Sequence, residues 1–277
     1  MEINHRVSIN GDVDADFYAE VKRLGIKHII SPLPGHEVGV VTFPMAESDP
    51  RWVTIQSLIE LYGAADFIGT SFSPEEILSS EWNRLVPMHE WGYPQPEKQM
   101  QWKQLTYAEQ CPVCGAGYTQ KASFRLAKEP RLTMYHFFSL FWTYTLFCKQ
   151  EVVAILMENH ITGGEVWDAV LHKLEQPSTT VSQLVITEIS APGLFEGDKN
   201  KPEKCRACGI TKYAHHRRGK LRYRKYALRS ADFQLTGEWF GSGGHSGFRE
   251  TIVSNRLARL ILAQGWRGVA LKPIELV

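Results

Sequence analysis

The sequence predicts an α+β protein: mixed and antiparallel sheet regions with helices, two CxxCG knuckles, and a small α/β extension at the N-terminus. Three observations carry that prediction. Short β-branched runs are interspersed with helix-period segments, without a strict βαβ order. The 277 residues are 43% hydrophobic and 22% charged, ordinary values for a globular chain with one large core or two small ones. Four of the five cysteines fall in two pairs, Cys111–Cys114 and Cys205–Cys208, each closed by a glycine.

Residues 1–63 read as the α/β extension. "RVSIN" and "KHIIS" have strand character, and "ADFYAEVKRLG" between them spaces Phe17, Val21 and Leu24 as a helix that stops at Gly25. "EVGVVTF" is the strongest strand of this stretch. "RWVTIQSLIELYG" follows as a helix, with Val53, Ile55, Leu58, Ile59 and Leu61 marking its expected buried side. Residues 64–277 form the double-CxxCG part. Ser73, Pro74 and Glu76 make a helix-start signal at its beginning. Pro94 and Pro96 hold the next connection extended. The aromatic block from Tyr135 to Phe147 reads equally as buried strand or helix. "KQEVVAILMENH" predicts a helix, "PSTTVSQLVITEIS" a strand, and "GDKNKPEK" a polar loop.

A possible internal echo lies in the second part. Residues 151–170 overlay 255–274 at a constant offset of 104, which sets Val153 on Leu257, Leu156 on Leu260 and Gly164 on Gly268. Each segment trails a CxxCG, so 111–173 and 205–277 are candidate pseudo-repeats.

Two residues between cysteines let both sulfurs face one ion from a tight turn. The following Gly115 and Gly209 supply the positive φ such a turn needs. Two such knuckles make a Cys₄ set: Cys111, Cys114, Cys205 and Cys208. That points to one structural zinc in a zinc-ribbon-like site, with a metal-free relic or a redox pair as the alternatives. Some 90 residues separate Cys114 from Cys205, against about 15–20 in the usual ribbon. The pairs must therefore meet across much of the domain. Cys148 follows an apolar run and reads as a small buried hydrophobe.

"ITKYAHHRRGKLRYRKYALR" is locally basic and interleaved with tyrosine. It reads as a hairpin turning near Gly219, with His215 and His216 as turn residues. Lys212, Tyr213, Arg217, Arg218, Arg222, Tyr223 and Arg224 are its candidate partner-binding side chains. An acidic protein surface or a nucleic acid could use them. Lys and Arg (31) nearly balance Asp and Glu (30), so net charge gives no drive toward nucleic acid or an anionic membrane. "GSGGHSGFRE" is Gly-rich and precedes a predicted helix. It matches neither phosphate-loop pattern and places His245 beside Ser246 without an evident Asp, so it reads as a flexible loop. No paired-carboxylate, nucleophile-elbow or HExxH motif occurs, and no enzyme is expected. The N-terminus lacks an apolar leader core, and "MYHFFSLFWTYTLF" is too short to span a bilayer. A cytoplasmic protein is expected, one that does not engage a membrane.

Taken in order, the landmarks resemble the double-CXXCG motif family of bacterial proteins. They are "CPVCG", "VVAILMENHITGG", "SQLVITEI", "CRACG" and "IVSNRLARLILAQGWRGVALKPIEL", spread over residues 70–277. The resemblance implies an immunity protein of a polymorphic or contact-dependent toxin system, which binds and neutralises a cognate toxin. It carries over Cys111, Cys114, Cys205 and Cys208 as the family's motif cysteines.

Overall fold

The computed structural model describes residues 1–195, 202–244 and 247–277. The chain divides into two compact units, residues 1–73 with 217–219, and residues 74–216 with 220–277. In the first unit β1 (Glu2–Asn10) is central, flanked by β3 (Val40–Ala46) and β4 (Ala65–Ser71), both antiparallel to it. β2 (Ile29–Ser31) edges β3. Helices α1 (Ala15–Arg23) and α2 (Trp52–Tyr62) supply the other layer. Their apolar residues join alternate residues of β1 and β3, including Val7, Ile9, Val41 and Phe43, in one core. On α2 the buried face is Trp52 and Ile55, with Leu58, Ile59 and Tyr62 beside them. Val53 and Leu61, expected inside, are 73% and 76% exposed. At 100° per residue the step from Ile55 carries those two off the core face.

The second unit opens with α3 (Pro74–Ser79), β5 (Trp82–Pro87), α4 (Trp102–Thr106) and β6 (Tyr107–Ala108). After the first knuckle come β7 (Thr119–Gln120), β8 (Arg125–Leu126), β9 (Phe137–Phe138), β10 (Leu146–Lys149), α5 (Gln150–Glu158) and β11 (Gly164–Leu171). The aromatic block is thus two short strands, β9 and β10, around an irregular link. Next are β12 (Gln176–Ile186) and β13 (Glu203–Lys204). After the second knuckle come β14 (Thr211–Tyr213), β15 (Leu221–Tyr223), β16 (Phe233–Leu235), β17 (Trp239–Phe240), β18 (Thr251–Ser254), α6 (Asn255–Ala263) and β19 (Val269–Leu276). The polar loop expected at 197–204 lies outside the described residues up to 201.

These strands build the same mixed five-stranded sheet twice, in the orders β8-β11-β12-β10-β9 and β15-β19-β5-β18-β16. The registers agree residue by residue. Leu146 faces Leu184 as Thr251 faces Leu85, and Gly164 faces Ile186 as Val269 faces Pro87. Leu171 runs parallel beside Leu126, as Leu276 does beside Tyr223. The helix-turn-strand segments correspond at an offset of 105, one residue from that of the sequence comparison, because α5 begins at Gln150 and α6 at Asn255.

The exchange is reciprocal. Within the second unit the repeated segments are wider than the candidate pseudo-repeats, a first half of 82–171 and a second of 176–276: β5 opens the first half and lies at the centre of the second half's sheet, while β12 opens the second half and lies at the centre of the first's. Neither sheet is complete without the other half. The crossing continues at two glycines. A Cβ on Gly163 would stand 2.0 Å from the Phe233 carbonyl oxygen, and one on Gly268 would stand 1.9 Å from that of Phe137. Only glycine permits that approach.

Asp232 ties the two helix segments together. Its carboxylate accepts from the Thr162 N–H (3.1 Å), the Ser254 hydroxyl (2.6 Å) and the Arg256 guanidinium. Ser254 caps α6 by accepting from the Leu257 N–H, and Arg256 reaches the Asn159 and His160 carbonyls past the end of α5. Burial alone would raise the pKa of Asp232. The bonds from Arg256, Ser254 and Thr162 outweigh it and hold the carboxyl below the usual range. Asp232 thus stabilises the fold fully above its unfolded pKa of about 3.9, and that share is lost as pH falls through the lower folded value. Asp232→Asn is expected to cost about 1–2 kcal/mol at neutral pH and to flatten the acid limb of stability. Urea titrations at several pH values check this; parallel acid limbs in variant and wild type would reject it.

Candidate metal centre

Each knuckle is a tight turn between two short paired strands. β6 pairs with β7 around Cys111–Gly115, and β13 pairs with β14 around Cys205–Gly209. The backbone bonds are the same in both. The first cysteine's N–H donates to the carbonyl five residues on (Cys111 to Ala116, Cys205 to Ile210, both 2.9 Å). The closing glycine's N–H returns to that cysteine's carbonyl. Gly115 and Gly209 have φ of 70° and 75°, the left-handed values expected of them.

The knuckles meet face to face. Cys111 Sγ lies 4.0 Å from Cys205 Sγ, and Cys114 Sγ lies 3.6 Å from Cys208 Sγ. All four sulfurs lie within 4.8 Å of one another. A tetrahedral ion with metal–sulfur bonds of about 2.3 Å spaces its sulfurs about 3.8 Å apart. The cluster therefore fits one metal ion held by four cysteines, two from each half. The N–H groups of Cys114 and Val113 favour the Cys111 thiolate and bring its pKa down to about 7. Those of Cys208 and Ala207 lower Cys205 in the same way. Burial pushes Cys114 up to about 12, so an ion must displace protons to bind and is held more tightly as pH rises.

The surroundings are apolar and shared between halves. Cys111, Cys114, Cys205, Ala116 and Trp239 pack as one buried cluster with Tyr118 and Ile210 against it, while Cys208 is exposed. Cys148 lies apart, fully buried, with its thiol pushed up by burial.

The basic segment is not a hairpin. β14 pairs with β13 and β17, whereas β15 pairs with β19. Two of its candidate binding residues are interior. Lys212 is 3% exposed, and its Nζ donates to the Cys114 and Gly243 carbonyls, bracing the opposite knuckle. Tyr223 is fully buried, with its hydroxyl donating to Glu238. Both strands bury alternate side chains, as period-2 geometry requires, and segment composition does not reveal which. Tyr213 is half-buried. Arg217 and Arg218 are exposed, in the first unit, where Arg218 pairs with Glu47. Arg222 stacks 4.1 Å from the Phe195 ring and pairs with Glu275; Arg224 is exposed and donates to the Tyr226 hydroxyl. His216 is buried, and its carbonyl accepts from Arg84. His215 packs edge-on to Phe248. His245 and Ser246 lie outside the described residues.

Sequence reasoning missed a buried ion pair, Arg84 on β5 with Glu250 just before β18, whose side chains are 1% and 5% exposed. Three consecutive buried residues, Asn83, Arg84 and Leu85, mark a strand covered on both faces, and no alternation advertises it. It also missed Arg249, half-buried against Trp239. Among the described residues no helix is long and apolar enough to cross a membrane.

Fold and cluster together define an α+β protein whose second unit consists of two interlocked halves that meet at four cysteines able to hold a metal ion. No protein-family model, curated protein or solved structure matches the chain.

Proposed function

We propose that this chain is a zinc-stabilised binding protein of the immunity type, acting in the cytoplasm to occupy and neutralise a cognate toxin. The observation that carries this reading is the meeting of the two CxxCG motifs, the elements on which the double-CXXCG resemblance rests, in one four-sulfur cluster. Four thiolates suit zinc and leave no position for water or substrate, so the ion serves the scaffold. A reducing compartment keeps such cysteines as ligands rather than disulfides. The zinc-ribbon-like description belongs to the same proposal and applies to the paired knuckles.

The candidate partner surface is the outward-facing remainder of the basic segment on the second unit: half-buried Arg222, exposed Arg224 and Lys225, and Tyr226 at 75% exposure. An exposed tyrosine among cations is a fitting anchor for an acidic protein. Tagged protein is expected to capture one stoichiometric protein from nuclease-treated lysate of its host. Replacing Arg222 and Arg224 together by Glu is expected to weaken that complex at least about tenfold without lowering the melting temperature. Unchanged affinity would remove the surface. A co-purifying nucleic acid whose binding falls steeply with salt would replace the immunity reading with a nucleic-acid one.

A further inference from the structure

We infer that a cavity beside the four-cysteine cluster is a binding site for a small aromatic monocarboxylate. The cavity holds about 390 Å³, enough for a one- or two-ring molecule, and lies wholly within the second unit. Its walls are aromatic. Tyr144 stacks on Phe248 at 3.4 Å between centroids, Tyr118 meets Trp239 edge-on at 4.9 Å, and Trp167 faces in from β11. Flat rings offer apolar area to a planar guest at little cost in side-chain freedom.

Among the described residues one cation lines this cavity. Arg249 lies with its guanidinium carbon 4.5 Å from the centre of the Trp239 ring. Its Nη1 donates to the Thr236 and Gly237 carbonyls, which fixes the plane of the group. Among the described residues no carboxylate stands within ion-pairing distance of it, although burial draws its pKa below the usual range. The acid whose charge acts on it, Glu238, is committed elsewhere: it accepts from the Gly193 and Leu194 N–H groups at 2.6 and 2.7 Å and from the Tyr223 hydroxyl. A half-buried guanidinium held flat, whose Nε and Nη2 have no hydrogen-bond partner among the described residues, is suited to receive a carboxylate in a fork.

Two features sharpen the ligand class. The repeat does not demand a cation at this position, because its counterpart at offset 105 is Tyr144. Arg249 is therefore particular to this cavity and not a consequence of the shared topology. Glu165 lines the same cavity and accepts from Trp167 Nε1 at 2.8 Å. Its charge disfavours a second anionic group, which selects one carboxylate rather than two, and disfavours a phosphate ester.

The test uses the full metal-loaded chain, calorimetry, and naphthoate as the probe, with naphthalenemethanol as its uncharged counterpart. One-to-one binding of naphthoate is expected, at least about tenfold tighter than the alcohol. Arg249→Gln is expected to erase that preference while leaving the alcohol's affinity in place. Ile189→Trp, which adds a ring at a partly exposed lining position, is expected to abolish binding of both. Equal affinity for acid and alcohol in the wild type would overturn the inference, as would naphthoate binding indifferent to Ile189→Trp. So would failure to saturate by about 1 mM, the weak end of specific binding. If Arg249→Gln does not fold, the acid–alcohol comparison and Ile189→Trp still decide.

Discussion

Cys205→Ser is expected to lower the melting midpoint of the second unit by about 10 °C or more. A structural zinc is worth about 10–16 kcal/mol to a small domain that depends on it. This unit has its own large cores, so a metal bound at the four cysteines would supply only part of its stability. A hydroxyl is a poor ligand for a soft site, and three cysteines retain a fraction of the affinity. A loss of about 4 kcal/mol corresponds to about 10 °C in a domain of this size. The reciprocal placement of the knuckles makes the prediction more specific. Cys111 and Cys205 occupy equivalent positions, so Cys111→Ser should cost about as much, to within about 1 kcal/mol. A strong chelator should depress the wild-type midpoint and move the variants by less, because they hold the ion more weakly. Thermal denaturation with metal analysis decides the matter. A variant that melts like wild type, with or without one ion bound, removes the stabilising role.

Arg84→Met is expected to destabilise the fold by about 3 kcal/mol, through the charge it strands rather than the bond it deletes. Glu250 sits 4% exposed and would lose its guanidinium partner. Breaking one side of such a pair costs about 3–5 kcal/mol. The lower end is expected here because Lys272 is near. Burial, and then the charge of Arg84, hold its ammonium pKa below the usual range, while Glu250 draws it up. Without Arg84 it can share the carboxylate. Adding Glu250→Gln to Arg84→Met should recover more than half of the loss, since an amide strands no charge. Urea unfolding of the two single variants and the double measures the coupling. Strictly additive costs would show that the pair does not act as a unit. The pair matters to the architecture because Arg84 sits on β5, the strand lent by one half to the other, and Glu250 leads into its neighbour β18.

Much of the first unit was legible in the sequence. The strand read at 37–43 is found at 40–46, and helices at 15–23 and 52–62 follow from helical spacing, since both patterns record which residues leave water. The helix phase was less legible: Val53 and Leu61 are as apolar as their buried neighbours yet lie outside. The Gly-rich stretch 241–250 leads into a strand, β18, before its helix, because Thr251–Ser254 is too short a run to declare itself.

Four cysteines and two glycines were enough for the sequence to designate a four-sulfur cluster able to hold a metal ion, because thiol pairs two residues apart with a left-handed glycine after them have few other uses. Helix and strand types likewise follow from local chemistry. Tertiary structure decided what lies far apart in the chain. It brought Cys111 to Cys205, sent β5 and β12 each into the other half's sheet, turned Lys212 and Tyr223 inward, and set Arg249 against Trp239 in an aromatic cavity, with no ion-paired carboxylate among the described residues. The physical reason is that periodicity reports whether a face is buried, but not against which distant segment. That choice is made by packing, hydrogen-bond register and charge pairing summed over the whole unit.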